Sequence, residues 1–378
     1  MAQSEPDWPF SATLSGGPAT SVRLAGGETV WLVTRYEEVR TVLGDRRFSA
    51  SGDPLHRASP GADAPCIGRL PHTDPPEHAR YRRPMGRAFT SRRITAWEPR
   101  IAEVVERHLT AMAEQERPVD LVEALAVPVP LTVIGELMDL PKADWPALRQ
   151  AASDLLSVEL TREEAARTSG WLLDYLRELV ARRRSAPGED LLSELLGHGE
   201  LTDVEVTDLG ATVLMGGFDS LAASISTAVA LLLCHPEQPR ALAGPAERLD
   251  RLVEEVLRHS TIVQHGVDRT ALVAVRLGEV DIAAGDRVVA HLPSANRDER
   301  LWPRTGEFDT TRPVTPHLAF GHGPHQCVGQ QLARLELRLV LARLFHRFPG
   351  LRLAVPASEL TLRRDRTFAG FQELLVTW

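Results

Sequence analysis

Apolar and polar positions recur with two different periods along this chain. Val22 to Thr34 predicts two short strands around a Gly26-Gly27 turn, with Val30 and Leu32 on one face. Tyr36 to Leu43 then predicts a short helix. From Ser49 to Arg69 the chain is rich in Gly, Pro, Ser and Asp and shows no period, which predicts a long loop. A loop of that length is usually functional or disordered.

Helix spacing dominates from Thr95 onward. Ile101, Val104, Val105, Leu109 and Met112 form one apolar stripe. Val119 to Leu140 is mostly apolar and is broken by Pro128 and Pro130, which predicts two buried helices. Leu172 to Arg184 ends in an arginine run before Pro187-Gly188, where the helix dipole favours cations. Thr202-Asp203-Val204-Glu205 is a capping box, because Thr202 can accept from the Glu205 amide while Glu205 reaches back. It starts a proline-free run to Cys234, expected to be one long buried helix interrupted at Gly216-Gly217. Each glycine there costs up to ~1 kcal/mol relative to Ala. The pair reflects either close helix packing or a kink beside a ligand. A helix from Pro245 to His259, a small β-meander through Val273, Val275, Leu277 and Ile282 to His291, a last helix from Gln330 to Phe348 and a strand-rich tail turning at Gly370 complete the pattern. The expected fold class is mainly α with a minor β part, in a single domain over residues 1–378.

Composition narrows the functional classes. The net charge is −8, from 43 Lys+Arg against 51 Asp+Glu, which argues against a nucleic-acid partner. The start lacks the basic and apolar regions of a secretory signal. No run is read as reaching the roughly 18 apolar residues of a membrane span. These features predict a cytoplasmic protein with no membrane partner. Lys142 and Asn296 are the only lysine and asparagine, a bias that points to a GC-rich coding sequence. Three cysteines are too few for a disulfide framework, and Cys66 and Cys234 read as small buried hydrophobes.

Cys327 differs from both. It sits in Phe320-Gly321-His322-Gly323-Pro324-His325-Gln326-Cys327-Val328-Gly329, a glycine-rich loop just before an amphipathic helix. Helix amides aimed at the sulfur favour its thiolate. Zinc is not expected, since no second cysteine lies at metal spacing and His322 and His325 are too few.

That loop resembles the haem-binding segment of the cytochrome P450 family, Phe-Gly-x-Gly-x-x-x-Cys-x-Gly. Four further segments resemble the same family in the same order. They are His72 to Arg83, Gly216-Gly217-Phe218-Asp219-Ser220, Glu255-Val256-Leu257-Arg258, and Ala295-Asn296-Arg297-Asp298 with Phe308-Asp309 and Arg312. The resemblance implies the P450 fold, with a long central helix over haem and small β-sheets. It implies haem b (iron protoporphyrin IX) with Cys327 as metal ligand and His78, Arg82, Arg269 and His325 as cofactor-binding residues for its propionates. Asp219 and Ser220 are the implied catalytic pair that delivers protons, although the family commonly has Thr where this chain has Ser220. Glu255, Arg258 and Arg297 are assigned to a structural network beneath the haem. Arg80, Arg83, Arg334 and Arg338 are candidates for a basic docking face. The stretches 51–70, 213–217, 262–266 and 368–371 are where substrate contacts are expected.

The implied reaction is insertion of one oxygen atom from dioxygen into a small organic substrate, by hydroxylation or epoxidation, in bacterial secondary metabolism. The chain has no dinucleotide fingerprint after a strand and no cluster-binding cysteine set. A separate ferredoxin and ferredoxin reductase are therefore the expected electron donors, and the substrate is free or bound to a carrier protein. Oxidative coupling, and a non-catalytic haem-binding sensor or recruited protein, stand as alternatives.

Overall fold

The structure is a computed structural model and describes residues 17–24, 27–51, 67–238, 246–363 and 365–378. Most of the expected 49–69 loop, with Cys66, lies outside them. Near the start, β1 (Thr20–Arg23) pairs antiparallel with β2 (Thr29–Val33), and α1 (Tyr36–Gly44) follows as expected. After β3 (Phe48–Ser49) come α2 (Glu77–Ala88), α3 (Ser91–Ala96) and α4 (Glu98–Ala113). All five residues of the predicted stripe on α4 are buried.

The two helices expected between residues 119 and 140 differ in detail. Val119–Asp120 is a strand, β4, then Val122–Ala126 is a π-helical turn, and only Pro128–Leu137 is an α-helix, α5. Pro128 opens α5 without cost because a first-turn residue needs no N–H partner. Asp120 accepts from the amides of Val122 and Leu374, both at 2.9 Å, and so ties this corner to the C-terminal segment.

Next come α6 (Trp145–Leu155), α7 (Arg162–Ser185) and α8 (Leu191–Gly197). The expected capping box is present, with Thr202 Oγ1 accepting from the Glu205 amide at 3.3 Å and the Thr202 amide donating to Glu205 at 2.7 Å. An unanticipated second box, Thr161 with Glu164, starts α7. The long central helix is two successive segments, α9 (Asp203–Gly217) and α10 (Asp219–Cys234), separated at Phe218. Contrary to the sequence expectation, residues 203–234 include a window long and apolar enough to cross a membrane, with mean hydropathy 1.6. That window is 83% buried inside the protein, so neighbouring helices cover its apolar surface. Cys234 is part of that core. The helices α11 (Ala246–Ser260) and α12 (Gln330–Arg347) pack against α10 and against each other.

The β part is larger than a meander. Strands β5 (Val267–Ala271) and β8 (Arg287–Ala290) join the first strands in a five-stranded sheet ordered β1-β2-β8-β5-β3, in which β2 and β8 run parallel. Only β6 (Val275–Leu277) and β7 (Val280–Ile282) form the expected local hairpin. The sequence reading missed β5 because Arg269, a charged residue, occupies one of its buried positions. A third sheet, β4-β10-β9, contains β9 (Arg352–Leu353) and β10 (Leu375–Thr377). The helical core and the sheet form separate apolar clusters, and α1 belongs to the second.

Candidate functional site

The Cys327 loop is shaped by its hydrogen bonds and its glycines. Its amide donates to Phe320 O at 2.9 Å, and the Gly321 amide donates to Leu318 O at 2.8 Å. Gly321 and Gly323 both have positive φ, 69° and 73°, a region only glycine enters freely. They serve different ends. A Cβ on Gly323 would come within 2.8 Å of Leu43 O and the Gly44 Cα at the end of α1, whereas one on Gly321 meets nothing. The loop is therefore wedged against α1 on one side and open on the other.

Cys327 is exposed, yet the atoms packed around its sulfur desolvate it and raise its thiol pKa. The amides of Gly329 and Gln330 at the start of α12, with the charges of Arg82 and Arg334, act in the lowering direction, as the sequence predicts. For the uncoordinated thiol, desolvation outweighs them, against the direction that the helix amides predict. A coordinated metal ion deprotonates such a thiol outright.

The four residues expected near the cofactor lie together: Arg269, His78 and Arg82 all act on His325, and Arg82 also acts on Cys327. His78 and Arg82 share one face of α2, and Arg269 lies on β5, buried. The rings of His78 and His325 lie 4.1 Å apart between centroids. Desolvation, then Arg269, His78 and Arg82, push the His325 pKa down to about 3, with Asp74 opposing. His78 is lowered by desolvation first and then by Arg82. His78 Nε2 and His325 Nδ1 are both buried without a hydrogen-bond partner. The nearby carboxylate, Asp74, is occupied by Ser49, the Ala50 amide at 2.9 Å and Ser51 at 3.1 Å. Against desolvation, these bonds hold Asp74 below the usual carboxylate range.

The break between α9 and α10 separates the two readings of its glycines. A Cβ on Gly217 would press to 2.6 Å of the Ile134 side chain of α5, so this glycine permits close packing. Gly216 is exposed, and a Cβ there meets nothing. Ser220 Oγ donates to the Gly216 carbonyl at 2.7 Å, a bond to the preceding turn. Asp219 is buried and pairs through Oδ1 with Arg363 Nη1 at 3.1 Å, a partner nothing in the sequence pattern signals.

Two charged networks flank the loop. Arg258 grips Glu255 with two bonds of 2.7 Å and donates to Asn296 O at 2.9 Å. Arg312, 3.4 Å from Glu255, is the third member. Arg297, assigned to this role from sequence, donates to the His259 carbonyl at 2.9 Å. The other network joins Glu254 to His317 at 3.0 Å and to Arg334, which also lies over the Phe320 ring. Arg80 pairs with Glu205 on α9. Of the substrate stretches, 262–266 and 368–371 meet through a Val263–Phe368 bridge and the Ala369 amide bonded to Ile262 O at 2.8 Å. Residues 52–66 lie outside the described residues. Among the described residues, no group of three or more His, Cys, Asp or Glu could hold a metal by itself.

The chain is 43% identical over 370 residues to the nocardicin C N-oxygenase of Nocardia uniformis subsp. tsuyamanensis, an alignment covering 96% of this chain and 92% of the relative. It belongs to the cytochrome P450 family. The family profile for cytochrome P450 matches residues 247–354 of this P450. The mycinamicin IV hydroxylase/epoxidase of Micromonospora griseorubida is 38% identical over 368 residues, covering 96% of this chain and 92% of the relative. A solved structure of the P450 TxtC, which hydroxylates thaxtomin, superposes with a TM-score of 0.90 at 36% identity over 96% of both chains. The mainly α architecture with small sheets is thus the P450 fold, and the protein is a haem-thiolate monooxygenase.

Proposed function

We propose that this P450 binds haem b and inserts one oxygen atom into a small secondary metabolite, with electrons from a separate ferredoxin and ferredoxin reductase. One observation carries the cofactor assignment. Arg82 and Arg269 lie with His78 and His325, whose ring nitrogens Nε2 and Nδ1 are buried without hydrogen-bond partners, and Arg82 also acts on the Cys327 thiol. Such a donor set matches a planar group bearing two carboxylates, the propionates of haem, with Cys327 as its single protein ligand. A c-type attachment needs Cys-x-x-Cys-His, which the Cys327 segment lacks.

When bound, the haem supplies the iron at which dioxygen is activated. This chain's residues would do the rest. His78, Arg82, Arg269 and His325 orient the propionates. The buried helices around Phe218 limit water, while Asp219 and Ser220 move protons. The Ser220 hydroxyl donates to Gly216 O, which leaves its lone pairs open to accept a proton-bearing water. To pass a proton on, it must release that carbonyl.

The relatives support the substrate class. The activities they are named for are N-oxygenation of nocardicin C and hydroxylation or epoxidation of mycinamicin IV, which favours monooxygenation over coupling or a sensor role. For electron delivery, a groove of about 270 Å³ lined by Glu98, Asp250, Glu254, Arg334 and Arg338 lies beside Phe320 of the Cys loop. Arg334 is engaged by Glu254, whereas Arg338 is only 3.5 Å and 3.8 Å from Asp250 and Glu98. Arg338 is therefore the arginine a ferredoxin carboxylate recruits most easily. A screen of nocardicin- and macrolide-type compounds for shifts of the Soret band, followed by turnover with surrogate ferredoxin and reductase, tests the reading. Oxygenated product supports it; binding without any product under steady reduction refutes it.

A further inference from the structure

We infer that Arg363 is a positioning residue for the oxygen chemistry, the counter-ion that anchors one oxygen of Asp219 so that the other can carry a proton. This rests on the proton-moving role proposed for Asp219.

Asp219 is 2% exposed, and its two oxygens have unequal surroundings. Oδ1 accepts from Arg363 Nη1 at 3.1 Å, while Oδ2 is buried with no hydrogen-bond partner. A carboxylate offers about four lone-pair sites. Leaving one oxygen buried and unpaired is costly, and in a native fold such an exception marks a functional group or a bound water. Asp219 also opens α10, a 16-residue helix whose N-terminal dipole favours negative charge. Arg363 adds the second cation and, by holding Oδ1, sets the rotamer. Oδ2 is then the oxygen that takes a proton from water and hands it inward. Handing the proton inward returns the carboxylate to its anionic form, each proton being drawn from solvent, and no electron moves.

Arg363 is itself held by the substrate-facing segment. Its amide donates to Gly370 O at 2.8 Å, and a Cβ on Gly370 would lie 3.3 Å from Arg363 Nη2. That Cβ would also lie 2.9 Å from the Cα of Ala223, one turn beyond Asp219 on α10. The same segment bridges Val263 through Phe368 and bonds Ile262 through Ala369. The guanidinium is thus fixed between the central helix and the residues expected to meet substrate.

Two measurements on the haem-loaded protein test the inference with Arg363→Ala, Arg363→Lys, Asp219→Asn and the double variant Arg363→Ala/Asp219→Asn. The first is a melting-temperature cycle. A pair acting as a unit makes the double variant clearly more stable than the sum of the single losses; additive losses overturn the inference. The second is the pH profile of dioxygen consumption driven by NADPH, surrogate ferredoxin and reductase, without added substrate. Arg363→Ala should slow it about tenfold and move its acid limb to higher pH. Arg363→Lys should keep most of the rate, and the double variant should be no slower than Asp219→Asn. A slow Asp219→Asn beside a parent-like Arg363→Ala overturns this inference alone. A parent-like Asp219→Asn instead removes the acid role on which it rests.

Discussion

The rings of His78, on α2, and His325, in the cysteine loop, lie tilted by 44° with centroids 4.1 Å apart, and each has a buried nitrogen without a hydrogen-bond partner. These two nitrogens lie with the cationic Arg82 and Arg269, a set suited to an anionic ligand that neutral imidazoles can hydrogen-bond. Arg82→Ala or Arg269→Ala should therefore weaken haem retention. Removing one partner of a fully buried charge pair costs of order ~3–5 kcal/mol, less where water reaches the site. Haem transfer to an excess of apomyoglobin reads the loss; unchanged transfer in both variants would place the propionates elsewhere.

Cys327→Ser should abolish the red-shifted Soret band of the ferrous–CO complex. A hydroxyl cannot replace thiolate donation, and the serine sits at the same open side of the loop. Persistence of that band in the variant would contradict the ligand assignment.

Glu255, Arg258 and Arg312 form a buried ionic unit, with side chains 4%, 2% and 11% exposed. Arg258→Ala should destabilise by about 3–5 kcal/mol, because Glu255 is left with a buried charge. Arg312→Ala should cost less, since Arg258 retains its two bonds of 2.7 Å to Glu255. Denaturant midpoints check the ranking, and a larger loss for Arg312→Ala would reverse it.

Asp208 on α9 accepts from the amides of Gly68 and Arg69, at 3.0 and 3.2 Å, where the chain leaves the 52–66 segment. Desolvation outweighs those bonds and raises its pKa to about 7. In the unfolded chain it titrates near ~3.9. Its contribution to stability is complete below the unfolded value and fades as pH rises through about 7. Asp208→Asn keeps an acceptor oxygen but does not titrate. The variant should gain stability relative to the parent on going from about pH 5 to about pH 8. Urea midpoints at both values test this, and a constant difference would show that Asp208 titrates normally.

Ser220→Ala should leave ligand binding and iron reduction nearly intact while diverting reducing equivalents to peroxide. In the proposed proton route, the hydroxyl that now donates to Gly216 O is the group that would hold a proton-bearing water. Because Ser fixes its rotamer less firmly than Thr, the loss should be partial, and Ser220→Thr should improve coupling. Product and peroxide per reducing equivalent are the measurements. Equal coupling in Ser220→Ala and the parent would send the protons by another route.

Local chemistry alone was enough to place much of this protein. Thr202 and Glu205 define a helix start because a capping box is a contact between residues three apart. The stripe on α4 follows from helical period, and Cys327 stands out because its neighbours in sequence are also its neighbours in space. Where a residue's partner lies far along the chain, the tertiary structure decided. Arg363 meets Asp219, and Arg312 meets Glu255, through packing of the C-terminal segment and of the loop between β8 and α12, which no periodicity encodes. Gly216 and Gly217 look alike in sequence, but only Gly217 has Ile134 against it. The direction of the Cys327 shift belongs to the same class. Helix amides predict a lowered thiol pKa, and desolvation, which depends on every atom packed around the sulfur, raises it instead.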